Sequence, residues 1–484
     1  MKKTFITNLA LLVLLNLLIK PFWILGIDLT VQNTVGAADY GFYFALFNFS
    51  FLFNILLDFG ITNYNNRNIS QHSQLLSKYF SNIVTLRVAL GFVYLIITLI
   101  SAFFINYQCR QFQMLGFLTL NQFLLSFILY LRSNLAGLQL FRTDSFVSVL
   151  DRLLMILICS VLLWGNVTEK PFQIEWFVYT QTAAYLITAI ITFAFIFPKL
   201  QFFHFRFDKI FFLVILKQSY PFALLTLLMG FYTRVDTVMI ERLLDSGEQQ
   251  AGIYAQSFRI LDAVSMFAYL FSSLLLPMFS KMIKHQKPVN QLVHLAFLLL
   301  IVPSLILSIS AFFYKHEIMN LLYHSHVEES AEIFGMLILG FIAVACSYIF
   351  GTLLTANGSM KALNYMAATG MVLNIGLNFV LIPKYHAYGA AISSLTTQWA
   401  MAIFQMILAK RIFKFRAEVR FISAIVFFII GVVVLNILAK EFASNWFLAF
   451  SAVVILSLDL AFIIKLLNIK ALIGILKQSD DSIQ

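Results

Sequence analysis

Stretches of about 20 apolar residues recur along the whole chain at intervals of about 30 to 40 residues, and each can cross a hydrocarbon core of about 30 Å as a helix. This repetition constrains the fold more than any other feature, because inside a bilayer only helices and closed barrels satisfy their own backbone polar groups. The composition agrees: 61% of the 484 residues are hydrophobic and 11% charged, with a mean hydropathy of +0.88, which no water-soluble globular domain reaches.

Reading each run to its break predicts helices over 6–27, 41–58, 79–105, 113–131, 145–164 and 176–197, then over 211–240, 253–279, 292–313, 333–355, 363–382 and 389–409, and finally 421–439 and 446–466. The expectation is an all-α polytopic membrane protein of about fourteen transmembrane helices. Lys2 and Lys3 before an apolar run imitate a signal peptide, but the run continues through Trp23 without a small-residue cleavage site, so it reads as a retained first helix. Cys109, Cys159 and Cys346 are widely spaced and form neither a disulfide framework nor a ligand pattern, which leaves packing roles for them.

The net charge of +11 is not that of a nucleic-acid binder, since Lys and Arg are scattered through short loops without an aromatic-basic motif. It reports topology instead. With the N-terminus inside, about 21 basic residues fall on the cytoplasmic side, about 6 outside and about 6 within spans. Lys281, Lys284 and Lys287, and the group Lys410, Arg411, Lys414, Arg416 and Arg420, are the main inner clusters. Both termini are therefore expected in the cytoplasm. Glu241, Asp245, Glu248, Glu317, Glu328, Glu329 and Glu332 fall on the outer side.

An internal repeat is visible. Tyr40-Gly41-Phe42-Tyr43 at the second helix resembles Ala251-Gly252-Ile253-Tyr254 at the eighth, an offset of about 211 residues, and the breaks at 135–142 and 354–361 follow at about 219. Two similar six-helix lobes are expected, over 1–205 and 206–415, with the last two helices and a cytoplasmic tail over 416–484. Six being even, the lobes insert with the same orientation and relate by an axis along the membrane normal, with a cavity expected between them.

Charges inside predicted spans carry the functional signal, because each costs about 2.5–3.5 kcal/mol at a helix centre on insertion scales and needs a polar surrounding. They are Lys20, Arg87, Asp151, Arg152, Lys217, Arg234, Asp236, Arg259 and Asp262. Basic residues outnumber acidic ones, which suits an anionic cargo whose phosphate oxygens a guanidinium binds in pairs. Lys217 and Arg234 on one helix are roughly 25 Å apart and would mark the two ends of a path. Lys217 and Arg152 lie near inner ends, where snorkelling to headgroups explains them. Lys20, Arg87, Arg234 and Arg259 are the expected substrate-binding residues. Asp236 and Asp262 are read either as ion-coupling groups or as charge partners, Arg259 and Asp262 sharing a helix face at i, i+3. Pro21 and Pro221 fall in the first helix of each lobe and Pro303 in the ninth helix; as breaks in the backbone ladder, Pro21 and Pro221 are expected to shape the cavity or act as hinges.

Other chemistries lack their residues. No Gly-Lys dipeptide occurs, so there is no phosphate loop for a nucleotide. His324-Ser325-His326 with Glu328 and Glu329 has ligand-type residues without a further ligand at a known spacing, and reads as a solvated loop. A membrane enzyme acting on lipid-linked glycans would present a large outer loop, and the longest here is about 20 residues. Neither an enzyme nor a bound cofactor or metal is therefore expected.

Three segments together resemble a known family. They are Gly36 to Asn68, with Gly41-Phe42-Tyr43 and Asp58-Phe59-Gly60; Ser219 to Ser280, with Tyr220-Pro221, Arg234, Asp236 and Gly252-Ile253-Tyr254; and Leu354 to Leu395, with Ala356-Asn357-Gly358, Ile382-Pro383-Lys384-Tyr385 and Gly389-Ala390-Ala391. In order and spacing they resemble the polysaccharide-transport (Wzx-type) flippases, whose superfamily also holds multidrug extruders and lipid II flippases. The resemblance implies a V-shaped pair of lobes that alternates its openings. It also implies a bacterial inner-membrane location and an undecaprenyl-pyrophosphate-linked oligosaccharide as cargo, of the kind used for O-antigen, capsule or exopolysaccharide. Membrane lipid, a coupling H+ or Na+ and a glycan polymerase are the implied partners. Lipid II flipping remains open on charge alone, whereas the basic excess argues against a multidrug cation antiporter.

Overall fold

The computed structural model describes residues 18–19, 21–62, 65, 69, 74, 76–165, 167, 169–202, 204, 208–415, 419–442 and 445–467. Among them there is no strand, and the α-helices in chain order are α1 Leu29–Leu52, α2 Leu76–Phe104, α3 Cys109–Gly137, α4 Phe141–Trp164, α5 Ile174–Ile196, α6 Lys209–Leu243, α7 Gly247–Lys284, α8 Asn290–Phe313, α9 Lys315–Leu322, α10 Val327–Ala356, α11 Met360–Phe413, α12 Val419–Phe442 and α13 Trp446–Ile463. Eleven of these are long and apolar enough to cross a membrane.

The 54 residues of α11 would reach about 80 Å if straight, more than twice the hydrocarbon thickness. They fold back instead. His386 takes φ 56° and ψ −139° three positions after Pro383, and Gly389 then lies so close to the first arm that a Cβ there would stand 2.3 Å from the Leu381 carbonyl oxygen. α11 is therefore two spans, 360–385 and 387–413, joined without a loop. A similar reversal divides α1 at Gly36, where φ 80° and ψ 172° suit glycine alone. Counting the two arms of α11 separately brings the candidate spans among the described residues to twelve, and the helical segments on either side of Gly36 stand beside them.

Two stretches differ from the sequence expectation. Residues 28–40, polar enough to read as a loop, are helical on both sides of Gly36. Their polar groups face protein, not water: Asp28 is 1% and Gln32 4% exposed. Between α8 and α10, a region expected to be loop, the chain forms the short amphipathic helix α9. Lys315 contacts Glu332 at 2.6 Å, His316 contacts Glu328 and Glu332 at 3.3 Å each, and Glu317 contacts Lys440 of α12 at 3.4 Å. These pairs hold α9 to its neighbours where headgroups replace hydrocarbon.

The chain packs as two compact units, residues 1–255 and 256–484. In the first, α3 packs along α5, α4 on α5, and α1 on α6 and α3. In the second, α10 packs between α8 and the arms of α11, while α12 and α13 pair and lie on α8. Between helices in lipid, close van der Waals approach substitutes for the hydrophobic effect, and small residues permit it. The closest approach in the first unit joins the two repeat motifs: a Cβ on Gly41 would meet the Glu248 carbonyl oxygen at 1.8 Å, and one on Gly252 the Ala37 carbonyl oxygen at 1.8 Å. The tyrosines beside them are buried, Tyr40 at 1% and Tyr254 at 0%.

Gly41→Ala and Gly252→Ala should each destabilise the detergent-solubilised protein by about 1–3 kcal/mol, the usual penalty for overpacking. Gly116→Ala, where a Cβ meets nothing within 4 Å, should be neutral in the same thermal melt.

Candidate functional site

The helix that enters α1 widens into a π-helical turn over Trp23–Asp28, two positions after Pro21. Such insertions re-aim side chains and are frequent at functional sites. Here the turn buries Asp28, and Tyr40 of the arm beyond Gly36 donates its hydroxyl to Asp28 Oδ1 at 2.9 Å. Trp23 stacks on Phe177 of α5 with centroids 5.7 Å apart, and Tyr43 meets the same ring edge-on at 5.3 Å. Gln181 Nε2 donates to the Tyr43 hydroxyl at 2.9 Å. Arg152 of α4 lies 5.5 Å from the Trp23 ring and 6.0 Å from Tyr185, with Asp151 at 3.6 Å. A carboxylate, an ion pair and an aromatic floor thus share the interior of the first unit. Asp28 was hidden from sequence reading because it ends an apolar run and reads as the first residue of a loop.

Arg87 lies elsewhere in this unit and is 2% exposed. Its guanidinium forms an ion pair with Asp58, donates to Thr62 Oγ1 at 2.7 Å and to the Ser126 carbonyl and hydroxyl at 2.9 Å each, and sits 4.8 Å from the Tyr130 ring centroid. Asp58 also accepts from the backbone N–H groups of Gly60 and Thr62 at 3.1 Å each. The Asp58-Phe59-Gly60 motif is therefore a turn, with positive φ at Phe59 and Gly60, whose carboxylate clamps α2 and α3 through Arg87. The structure thus engages the Arg87 guanidinium with an acid 29 positions away, a partner no local pattern reveals.

Toward the end of α6, Asp236 is 1% exposed and accepts from the Tyr254 hydroxyl at 3.0 Å. At the next position Asn48 donates to Thr237 Oγ1 at 3.3 Å. Each repeat thus sets a buried aspartate of its first helix against a tyrosine of its second. The registers are not identical, for Tyr43 and not Tyr40 is the counterpart of Tyr254. Arg234 is half-buried, its guanidinium carbon 5.4 Å from the Phe51 ring centroid. Lys217 is exposed on α6, which also contains Pro221. Lys20 lies outside the described residues.

At the same end of α6, Arg242 grips the neighbouring Glu241 through two contacts of 2.6 Å, and Gln111 of α3 donates to Glu241 at 2.8 Å. Arg242 also covers Tyr107 at 4.2 Å. Burial, and then the nearby Glu241 carboxylate, raise the Tyr107 phenol above its ordinary pKa. Arg110 holds Glu175 at 3.0 Å and Asp39 at 3.2 Å, joining α1, α3 and α5 on that side.

In the second unit, Arg259 and Asp262 are half-buried on α7. Further in, Asn374 and Asn378 on the first arm of α11 and Thr397 on the second are each 0% exposed, and Asn378 donates to Asn374 Oδ1 at 3.2 Å. Sequence reading keyed on charge and passed over these amides. No group of His, Cys, Asp and Glu able to hold a metal occurs among the described residues. Cys159 and Cys346 are buried and Cys109 exposed, all three free.

Eleven long apolar helices among the described residues define a polytopic membrane protein, and comparison with known proteins places it further. A family model described as polysaccharide biosynthesis protein matches residues 5–283, and the MatE model matches residues 221–380. The chain belongs to the polysaccharide biosynthesis protein family, the flippase family whose superfamily also includes the MatE transporters. Capsular polysaccharide biosynthesis protein CapF of Staphylococcus aureus is 26% identical over 211 residues, covering 43% of this chain and 51% of the relative. The match thus spans about half the relative's length. Among solved structures, the lipid II flippase MurJ in an inward closed conformation is similar with a TM-score of 0.71, at 15% identity over 94% of this chain and 98% of that one. An inward-facing multidrug resistance MATE transporter gives 0.61 at 12% identity over 84% and 98%, and the Vibrio cholerae MATE transporter VcmN gives 0.55 at 12% over 85% and 97%. At these identities the likeness is one of fold.

Replacing Arg87 by Leu, or Asp58 by Asn, should each lower stability by about 3 kcal/mol, because a buried charge loses its partner. The double variant should lose much less than the sum, as read in a double-mutant cycle of denaturation in detergent.

Proposed function

We propose that this flippase moves an undecaprenyl-pyrophosphate-linked oligosaccharide, a repeat unit of O-antigen, capsule or exopolysaccharide, from the cytoplasmic to the outer leaflet of a bacterial inner membrane. The observation that carries the reading is the family match over residues 5–283. The similarity to a capsular polysaccharide protein supports it. An excess of cations within spans fits the pyrophosphate, since a guanidinium meets phosphate oxygens in pairs and a low dielectric strengthens the attraction. The lipid tail stays in the bilayer while the polar head passes through the protein.

Lys20, Arg87, Arg234 and Arg259 are the proposed cargo contacts. Arg234 and Arg259 are only half-buried, so a guanidinium there remains within reach of a ligand. Coupling to an H+ or Na+ gradient is placed on Asp236 and Asp262, joined by Asp28 because its carboxylate is as deeply buried as that of Asp236. Transport proceeds by alternating access of two lobes, 1–205 and 206–415, with both termini cytoplasmic and with Pro21 and Pro221 as hinges in their first helices. The fold shared with MurJ keeps lipid II as the second reading.

Purified protein in liposomes, offered lipid-linked oligosaccharide or lipid II and scored for accessibility at the far leaflet, distinguishes the two. Oligosaccharide should be flipped and lipid II not. Lys20→Ala and Arg259→Ala should each abolish flipping at unchanged membrane levels, and full transport by both would overturn the assignment. Pro21→Ala combined with Pro221→Ala should slow flipping; an unchanged rate removes the hinge role.

A further inference from the structure

Within the spans, acidic side chains are engaged by the chain itself. Asp28 takes the Tyr40 hydroxyl, Asp58 the Arg87 guanidinium, Asp151 sits beside Arg152, and Asp236 takes the Tyr254 hydroxyl. Asp459 on α13 differs. It is exposed, and among the described residues it makes no hydrogen bond or ion pair.

Its depth makes this costly. The 18 residues of α13 span about 27 Å, close to the full hydrocarbon thickness. The helix ends at Ile463, with Lys465 at φ 63°, so Asp459 lies about 6 Å inside that end. Long Lys and Arg side chains snorkel out from such a depth. Aspartate has too short a stem, and its Cα–Cβ bond tilts toward the helix N-terminus, away from the nearer interface.

The two faces of α13 have different chemistry. Ala449, Val453, Ser457 and Ala461 are buried, a stripe of small residues at every fourth position that lets the helix approach α8 and α12. The opposite face exposes Leu448, Ala452, Ile455, Leu456 and Phe462 around Asp459. That spacing of three and four residues is the seam one helix offers to another. Lipid chains solvate the apolar members of the seam, but they offer nothing to a carboxylate.

We propose that this face of α13 docks a membrane-spanning helix of a different protein, one that carries a Lys or Arg at the depth of Asp459. Charge complementarity selects that occupant. A second copy of this chain, meeting the first through the same face, would bring two Asp459 carboxylates together about the symmetry axis. The surface is on α13, apart from the cargo contacts proposed above, so it stands whichever lipid is carried.

The test is photo-cross-linking of the full chain in its native membrane, with p-benzoylphenylalanine in place of Ile455 on the seam and, as control, Ile430 on the exposed side of α12. Ile455 should give one discrete protein adduct, absent from the Ile430 control, and its partner helix should carry a basic residue at matching depth. Asp459→Asn, nearly isosteric, should reduce the adduct about tenfold, as expected when one member of a buried charge pair is neutralised. Leu456→Trp, which blocks the seam without touching the charge, should reduce it as well, with levels of both variants checked in the same membranes. Lipid adducts only, a homodimeric adduct, a partner helix without a basic residue, or an adduct indifferent to Asp459→Asn would each overturn the proposal.

Discussion

In a hydrocarbon interior each buried polar group must find its partner within the protein, because no water is there to supply one. That constraint organises both units. It explains why the turn after α1 spends a carboxylate, two backbone N–H groups and a guanidinium on one another around Asp58. It also explains why Tyr40, next to Gly41, and Tyr254, two positions after Gly252, each reach an aspartate of the preceding helix. These networks have fixed geometry, so they hold helix ends in register where apolar contacts alone would let them slide.

Much of the architecture was legible from the spacing of apolar runs. From α2 onward the helices begin and end within a few residues of the run boundaries, since hydrocarbon thickness sets their length. The reading fails at residues 28–40, where helices reverse at Gly36 with no polar loop between them, and at α9, too short and too polar to register as a run. In both places hydropathy measures the side chains, whereas the outcome depends on which neighbours bury them.

The site was less legible, for a different physical reason. In-span charges are conspicuous in sequence, but their partners are not. Arg87 finds Asp58, which is distant in sequence. Asp28 lies at the edge of its run, and Asn374, Asn378 and Thr397 carry no charge to draw attention. Asp459 is a single carboxylate in a long apolar run, and averaging over a window dilutes it. The internal repeat, in contrast, was visible as two short glycine–tyrosine motifs, and those glycines proved to touch each other's helices.

That contact has a consequence for how the chain can be divided. The sequence reading expects the second repeat to start at residue 206, whereas the packing boundary falls at Ala255, because α6 and the first turns of α7 pack with the first unit. The opening helix of the second repeat is thus structurally an arm lent to the first. A gene split at the repeat junction would produce one fragment lacking the surface that covers α1, and another carrying that surface with nothing beneath it. Complementation by separately made halves should depend on where the cut falls, with a cut before α6 separating surfaces that must meet again for either fragment to be whole.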